Sequence, residues 1–144
     1  MAWKRPESVL VIVAVRDGRM LLLERRRPRG FWQSVTGSLE AGETPAAAAR
    51  RELCEETGLC DVPLIDARIA RRFPIVMPWR HRYAPGIRGN LEHVFYVGLP
   101  RPRPVALNPH EHLRYRWLAR GEALRRTCSW TDRASIRRGA HRHA

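Results

Sequence analysis

Three glutamates, Glu52, Glu55 and Glu56, stand close together in the stretch R-E-L-C-E-E-T-G, behind a glycine-bounded loop that begins at Gly37. On a helix, at about 100° per residue, all three fall within one sector of roughly 100°. The flanking residues favour such a helix. Thr44 suits the N-cap, Pro45 the first helical position, and four alanines the turns that follow. Gly58 suits a left-handed end. Leu53, Ala49 and Ala46 take the neighbouring sector, so one side is expected to pack on a core while the adjoining side presents carboxylates. Two like charges ~4 Å apart repel by ~4 kcal/mol at an effective dielectric near ~20. Either cations neutralise the cluster or its pKa values rise. Arg50 and Arg51 lie in the same helix, and simple ion pairing with them would make this an ordinary solvated face.

The wider pattern decides between these readings. Gly37, five residues, Glu43, seven residues, Arg51-Glu52-Leu53, one residue, Glu55-Glu56, one residue and Gly58-Leu59 match the Nudix box at every fixed position. The chain thus resembles the Nudix hydrolases. The resemblance implies an α+β fold, an α/β/α sandwich with a mixed sheet between helices and a catalytic loop–helix. It also implies cleavage of a diphosphate linked to another group, with Mg²⁺ as cofactor and Mn²⁺ as a substitute. Mg²⁺ prefers a few carboxylates plus water and phosphate oxygens, which suits these residues. By the same resemblance Glu52 and Glu56 are the central metal ligands, and Glu55 is a third ligand or the base. Arg51 and Glu43 brace the loop against the helix. Glu111, outside the box and just before a strand, is a further ligand or base; on local sequence alone a solvated loop glutamate reads equally well.

With 144 residues, 44% of them hydrophobic, and no internal repeat, one domain over residues 3–138 is expected, with a flexible tail at 139–144. The longest apolar run, residues 9–15, is too short to span a bilayer, and no signal segment opens the chain. Cys54, Cys60 and Cys128 are odd in number and lack metal-site spacing, which suits reduced thiols in a cytoplasm. Cys54 is assigned to packing alone. The net charge of +13 invites a nucleic-acid reading, but Lys4 is the only lysine among the 27 basic residues. The arginines are scattered, and their excess over lysine fits a GC-rich coding bias. Attraction for a small polyanion is the more economical reading. Oligomeric state is open.

Strands are expected at residues 8–15, 20–24, 31–36, 64–73, 91–99 and 113–117, with a hairpin turn at Asp17-Gly18. Short helices are expected at 122–126 and 131–138. The basic loop from Arg25 to Gly30 lies one strand before the acidic loop–helix, so Arg25 can reach a phosphate. The loop at 77–90, rich in Pro, Gly, Arg and aromatic residues, is long enough to be functional.

The resemblance extends beyond the box. F-W-Q-S-V-T-G-S, R-H-R-Y-A-P-G, E-H-L-R-Y-R-W-L and S-W-T-D-R-A-S-I, with K-R-P near the start, are similar to stretches of a bacterial Nudix group, the dihydroneopterin triphosphate diphosphatases. This implies release of pyrophosphate from dihydroneopterin triphosphate, giving the monophosphate on the route to folate. Lys4 and Arg25 are then the phosphate contacts. Trp32, Phe73 and Trp130 supply an aromatic wall, and Thr36 and Ser129 supply polar groups. Two alternatives stay open. One is a general (d)NTP pyrophosphatase, acting for example on dATP, which would differ only in its pocket. The other is a non-catalytic RNA-binding module, against which the complete set of box acids speaks. The expected partner is a small-molecule triphosphate, pterin or nucleotide, with no membrane.

Overall fold

The computed structural model describes residues 3–77 and 79–142. Strand β1 (Glu7–Val15) arises from an unbroken β-branched run and is buried on both faces. It pairs in parallel with β6 (Gly89–Leu99), from Glu7 opposite Leu91 to Val15 opposite Leu99. Gly18, at φ 100°, makes the turn that sends the chain back as β2 (Met20–Arg25). Strands β3 (Trp32–Gln33), β4 (Val35–Ser38), β5 (Ile65–Pro74) and β7 (His112–Leu118) complete a mixed sheet. The strands β3, β2, β1, β6 and β5 lie side by side, while β4 pairs with β1 and β7 pairs with β2. Every pairing other than β1 with β6 is antiparallel.

Alternation along β1 divides the interior in two. Val9, Val11 and Val13 face helix α1 (Pro45–Thr57) through Ala48, Ala49 and Leu53. Leu10 and Ile12 face helices α2 (Arg120–Arg126) and α3 (Trp130–Arg142) through Ala123 and Ile136. The result is the expected α+β sandwich. Burying a side chain such as Leu53, which is 1% exposed, stabilises the fold by about 1.5–3 kcal/mol. On the second face Tyr96 donates to the Ser135 carbonyl at 2.7 Å. A Cβ at Gly139 would collide with the Tyr96 ring, so glycine permits this close approach. Among the described residues, no helix is long and apolar enough to cross a membrane.

Four local expectations are corrected. The strand expected over residues 31–36 is two short strands broken at Ser34, whose backbone N–H and hydroxyl both bond the buried Asp132 carboxylate, at 2.6 and 2.7 Å. In α1 the packed sector takes in Ala48 and leaves Ala46 exposed. That sector also contains Glu56. The ladder of β2 extends to Arg25, with a register shift between Glu24 and Arg25 that turns Arg25 out of the regular alternation. Finally, Cys54 and Cys60 form a disulfide rather than free thiols. The helix stops at Thr57 and Gly58, at φ 78°, reverses the chain, which brings Cys60 back beside Cys54. Cys128 is the free thiol among the described residues. The tail expected from residue 139 overlaps the last turns of α3, which runs to Arg142; residues 143 and 144 lie outside the described residues.

Candidate active site

The loop before α1 is fixed by one guanidinium. Arg51 donates from Nε and Nη2 to the two Glu43 carboxylate oxygens, each at 2.8 Å, and from Nη2 to the Ser38 carbonyl at 3.0 Å. Its Nη1 reaches Glu52 Oε1 at 2.5 Å. This bidentate partner holds the Glu43 carboxyl down at about 2, so the pair stays ionised across the physiological range. Arg51 thereby ties loop, strand β4 and helix together, and its place is that of a positioning residue. Thr44 caps the helix by accepting from the Ala47 N–H at 3.2 Å. Opposite, a Cβ at Gly37 would fall on the Glu52 carboxylate, so only glycine lets that acid lie against β4.

Glu56 is the group whose environment calls for a ligand. It is 2% exposed, and neither carboxylate oxygen has a well-formed hydrogen bond, the Thr36 backbone N–H facing it only loosely. Burial, then the neighbouring Glu52, raise its pKa well above the usual carboxylate range. His112 Nε2 lies 3.8 Å from Glu56 Oε1, but burial pulls the imidazole down to about 4. His112 is therefore neutral and supplies no counter-charge. Glu111 is exposed on the loop leading to β7, close enough to act electrostatically on Glu56, Lys4 and Arg25. The loop is held there by Arg26, whose N–H donates to the Glu111 carbonyl at 2.8 Å and whose Nε donates to the Pro109 carbonyl at 2.7 Å. Glu55 points outward, with a 54% exposed side chain 3.4 Å from Arg51.

Among the described residues no three His, Cys, Asp or Glu side chains already close around one point. The donor set nevertheless suits a hard divalent cation. Two oxygens on Glu56 without a well-formed hydrogen bond sit beside Glu52, with Glu111 in the same field. Mutually repelling, desolvated carboxylates of this kind are what an added cation would relieve.

Next to Gly37 opens a cleft of about 330 Å³ on the sheet face opposite α1. Lys4, Arg25, Thr36, Phe73 and Ser129 all border it, as does Trp130. Lys4 and Arg25 share one cationic rim with Arg82. Burial, followed by Arg82, lowers the pKa of both Lys4 and Arg25, and Arg25 lowers that of Lys4 further. Thr36 donates its hydroxyl to the Val9 carbonyl at 2.8 Å, so within the fold it braces β4 on β1. Ser129 sits at the start of α3, where its Oγ accepts from the Asp132 N–H at 3.3 Å and lies 2.9 Å from Thr131 Oγ1.

Trp32 does not belong to the wall. It is 5% exposed in the core, with the guanidinium groups of Arg114 and Arg126 over its ring at 5.5 and 5.3 Å. Its wall position is filled from the 77–90 loop, which turns through a 3₁₀ segment at Arg80–Arg82. Trp79 meets Phe31 edge to face at 5.7 Å, and the Arg25 guanidinium lies 4.7 Å from the Trp79 ring. Gln33, Asn90 and Glu92 also border the cleft and were not singled out from the sequence. Glu92 is 4% exposed, and burial pushes its carboxyl up to about 7. One sequence signal for the last two existed: in N-L-E-H-V-F-Y, Asn90 and Glu92 continue the face of Val94 and Tyr96, a polar end to an apolar stripe.

The NUDIX domain model matches residues 4–138. The chain is 44% identical over 139 residues to the dihydroneopterin triphosphate diphosphatase of Escherichia coli (strain K12), covering 93% of this chain and 91% of that one. It is 35% identical over 143 residues to the protein of the same name from Haemophilus influenzae, covering 96% and 89%. The solved structure of the E. coli dihydroneopterin triphosphate pyrophosphohydrolase superposes with a TM-score of 0.90 at 42% identity, covering 96% of this chain and 97% of that one.

Proposed function

This chain belongs to the Nudix family as a pyrophosphohydrolase, and on that premise we propose that it converts dihydroneopterin triphosphate to the monophosphate and pyrophosphate, using Mg²⁺. The observation that carries the reading is the adjacency of two unlike sites. Desolvated Glu56 lies beside Glu52, and next to Gly37 begins a cationic, aromatic-walled cleft. Such a cleft admits a flat ring at one end and a polyphosphate at the other.

Glu52 and Glu56 would hold the divalent cation, with Glu111 completing the set. When bound, it would neutralise phosphate charge and acidify a water molecule. The protein's own groups do the rest. Lys4 and Arg25 bind phosphate oxygens from the rim, and Arg25 is oriented by its own donation from Nε to the Arg27 carbonyl at 2.9 Å. Of the two candidate bases, Glu111 shares the field of Glu56, Lys4 and Arg25, whereas Glu55 leans on Arg51. Glu111 is thus the better placed to take the proton of the attacking water. The cationic rim then stabilises departing pyrophosphate. Ser129 Oγ is bonded to Thr131 Oγ1 and Cys128 Sγ faces the Gly30 carbonyl, neither of them a base, so no covalent intermediate is invoked.

Measuring kcat/KM for dihydroneopterin triphosphate, dGTP and dATP under saturating Mg²⁺ tests the substrate. The pterin is expected to lead by at least about tenfold, ~1.4 kcal/mol of transition-state binding. A nucleotide leading by that margin would replace the pterin reading with that of a general (d)NTP pyrophosphatase.

A further inference from the structure

Among the described residues, two buried acceptors on one face of β6 at the cleft have no hydrogen-bond partner: Glu92 Oε1 and Asn90 Oδ1. Their residues are 4% and 1% exposed. A fold seldom leaves such atoms unpaired, because the lost hydration is not recovered. Their neighbours are already satisfied. Asp132 accepts twice from Ser34, and Asn90 Nδ2 donates to Ser8 Oγ at 2.7 Å, which leaves Asn90 Oδ1 unspent. The Thr131 hydroxyl bonds the Glu92 carboxyl, yet Oε1 remains unpartnered. Because Asn90 and Glu92 are two apart on β6, they share one face of the sheet. What remains is a pair of acceptors, bordered by the rings of Trp79, Phe31 and Trp130.

We infer that this floor reads the 2-amino-4-oxopyrimidine edge of a flat heterocycle, with Glu92 and Asn90 accepting from the ring N–H and exocyclic amine. The inference rests on the proposed function for why a ring enters here at all, and it adds which edge is recognised and by what. A 6-aminopurine presents a bare ring nitrogen where this edge has N–H, so it would set a lone pair against the Glu92 carboxylate and leave buried groups unmatched. Sites built to bond a polar edge reject analogues lacking it strongly. Reduced pterins and guanine share the edge, so the chemistry has two sources.

Binding of 7,8-dihydroneopterin, guanosine and adenosine, all without phosphate, is measured by tryptophan fluorescence on the wild type, Glu92→Gln and Asn90→Leu. Thermal midpoints are recorded in parallel. Dihydroneopterin is expected to bind the wild type and to weaken by about tenfold or more in either variant, with adenosine not binding. In Glu92→Gln the KM for the triphosphate should rise by a similar factor, with kcat changed less than about threefold and the midpoint unchanged or higher. A merely structural role would lower the midpoint and leave ligand selectivity alone. Guanosine binding without dihydroneopterin binding would keep the edge and remove the pterin as its source. Equal binding to wild type and both variants, or no binding of either 2-amino-4-oxo compound, overturns the inference. Pyrophosphate release from dihydroneopterin triphosphate in that same experiment would show the proposed function standing without it.

Discussion

Glu56→Gln should lower kcat by on the order of 10²–10³-fold while leaving a folded protein whose thermal midpoint no longer responds to Mg²⁺. The expectation comes from the carboxyl's surroundings. Glu56 is packed among the core residues of α1, has no well-formed hydrogen bond on either oxygen, with the Thr36 backbone N–H facing it loosely, and repels Glu52. An amide of the same shape removes a desolvated anion, so metal-free protein should be as stable as the wild type or more so. In the wild type, a cation bound at a hundred times its Kd adds about 2.7 kcal/mol, or roughly 5–10 °C for a domain of this size. The variant should show almost none of that rise. Differential scanning fluorimetry with and without Mg²⁺, beside steady-state rates, reads both effects. A variant that keeps the wild-type rate and the Mg²⁺-dependent rise takes Glu56 out of the metal site.

Gly37→Ala carries the second large effect. The added Cβ would occupy the place of the Glu52 carboxylate, and its neighbours there are side-chain atoms rather than backbone. Glu52 can swing away, so the fold should survive with a midpoint shift of a few degrees. The acid itself is then displaced from Glu56 and from Arg51 Nη1. Misplacement by about 1 Å at a reacting centre can cost on the order of 10²-fold, and kcat/KM should fall by that much. A variant with wild-type kcat/KM would mean that Glu52 need not lie against β4 during turnover.

The acidic loop–helix was legible because its interactions are local. Helical spacing alone brings Glu52 beside Glu56, and box spacing brings Arg51 onto Glu43. Sector geometry by itself placed Glu56 on the solvated side, and the sheet beneath, met through Ala48, Ala49 and Leu53, makes it a buried residue instead. The cleft was only half legible. Lys4, Arg25, Thr36, Phe73 and Ser129 do border it, but Trp32 does not. The bend at Ser34, pinned by a residue far along the chain, sends Trp32 into the core, while Trp79 arrives from a loop whose path no periodicity encodes. Asn90 and Glu92 reach the cleft through the pairing of β6 with β1, so their place there is a tertiary fact. The disulfide was missed for a similar reason. An odd cysteine count names no pair, and only the left-handed turn at Gly58 brings Cys60 back to Cys54.

Product analysis of dihydroneopterin triphosphate incubated with the protein and Mg²⁺ in ¹⁸O-labelled water tests most directly whether a polyphosphate is cut beside Glu52 and Glu56. Pyrophosphate and dihydroneopterin monophosphate should form in equal amounts, one of them carrying the label, and a chelator should stop the reaction. Orthophosphate as the first product, or turnover that survives the chelator, would contradict it.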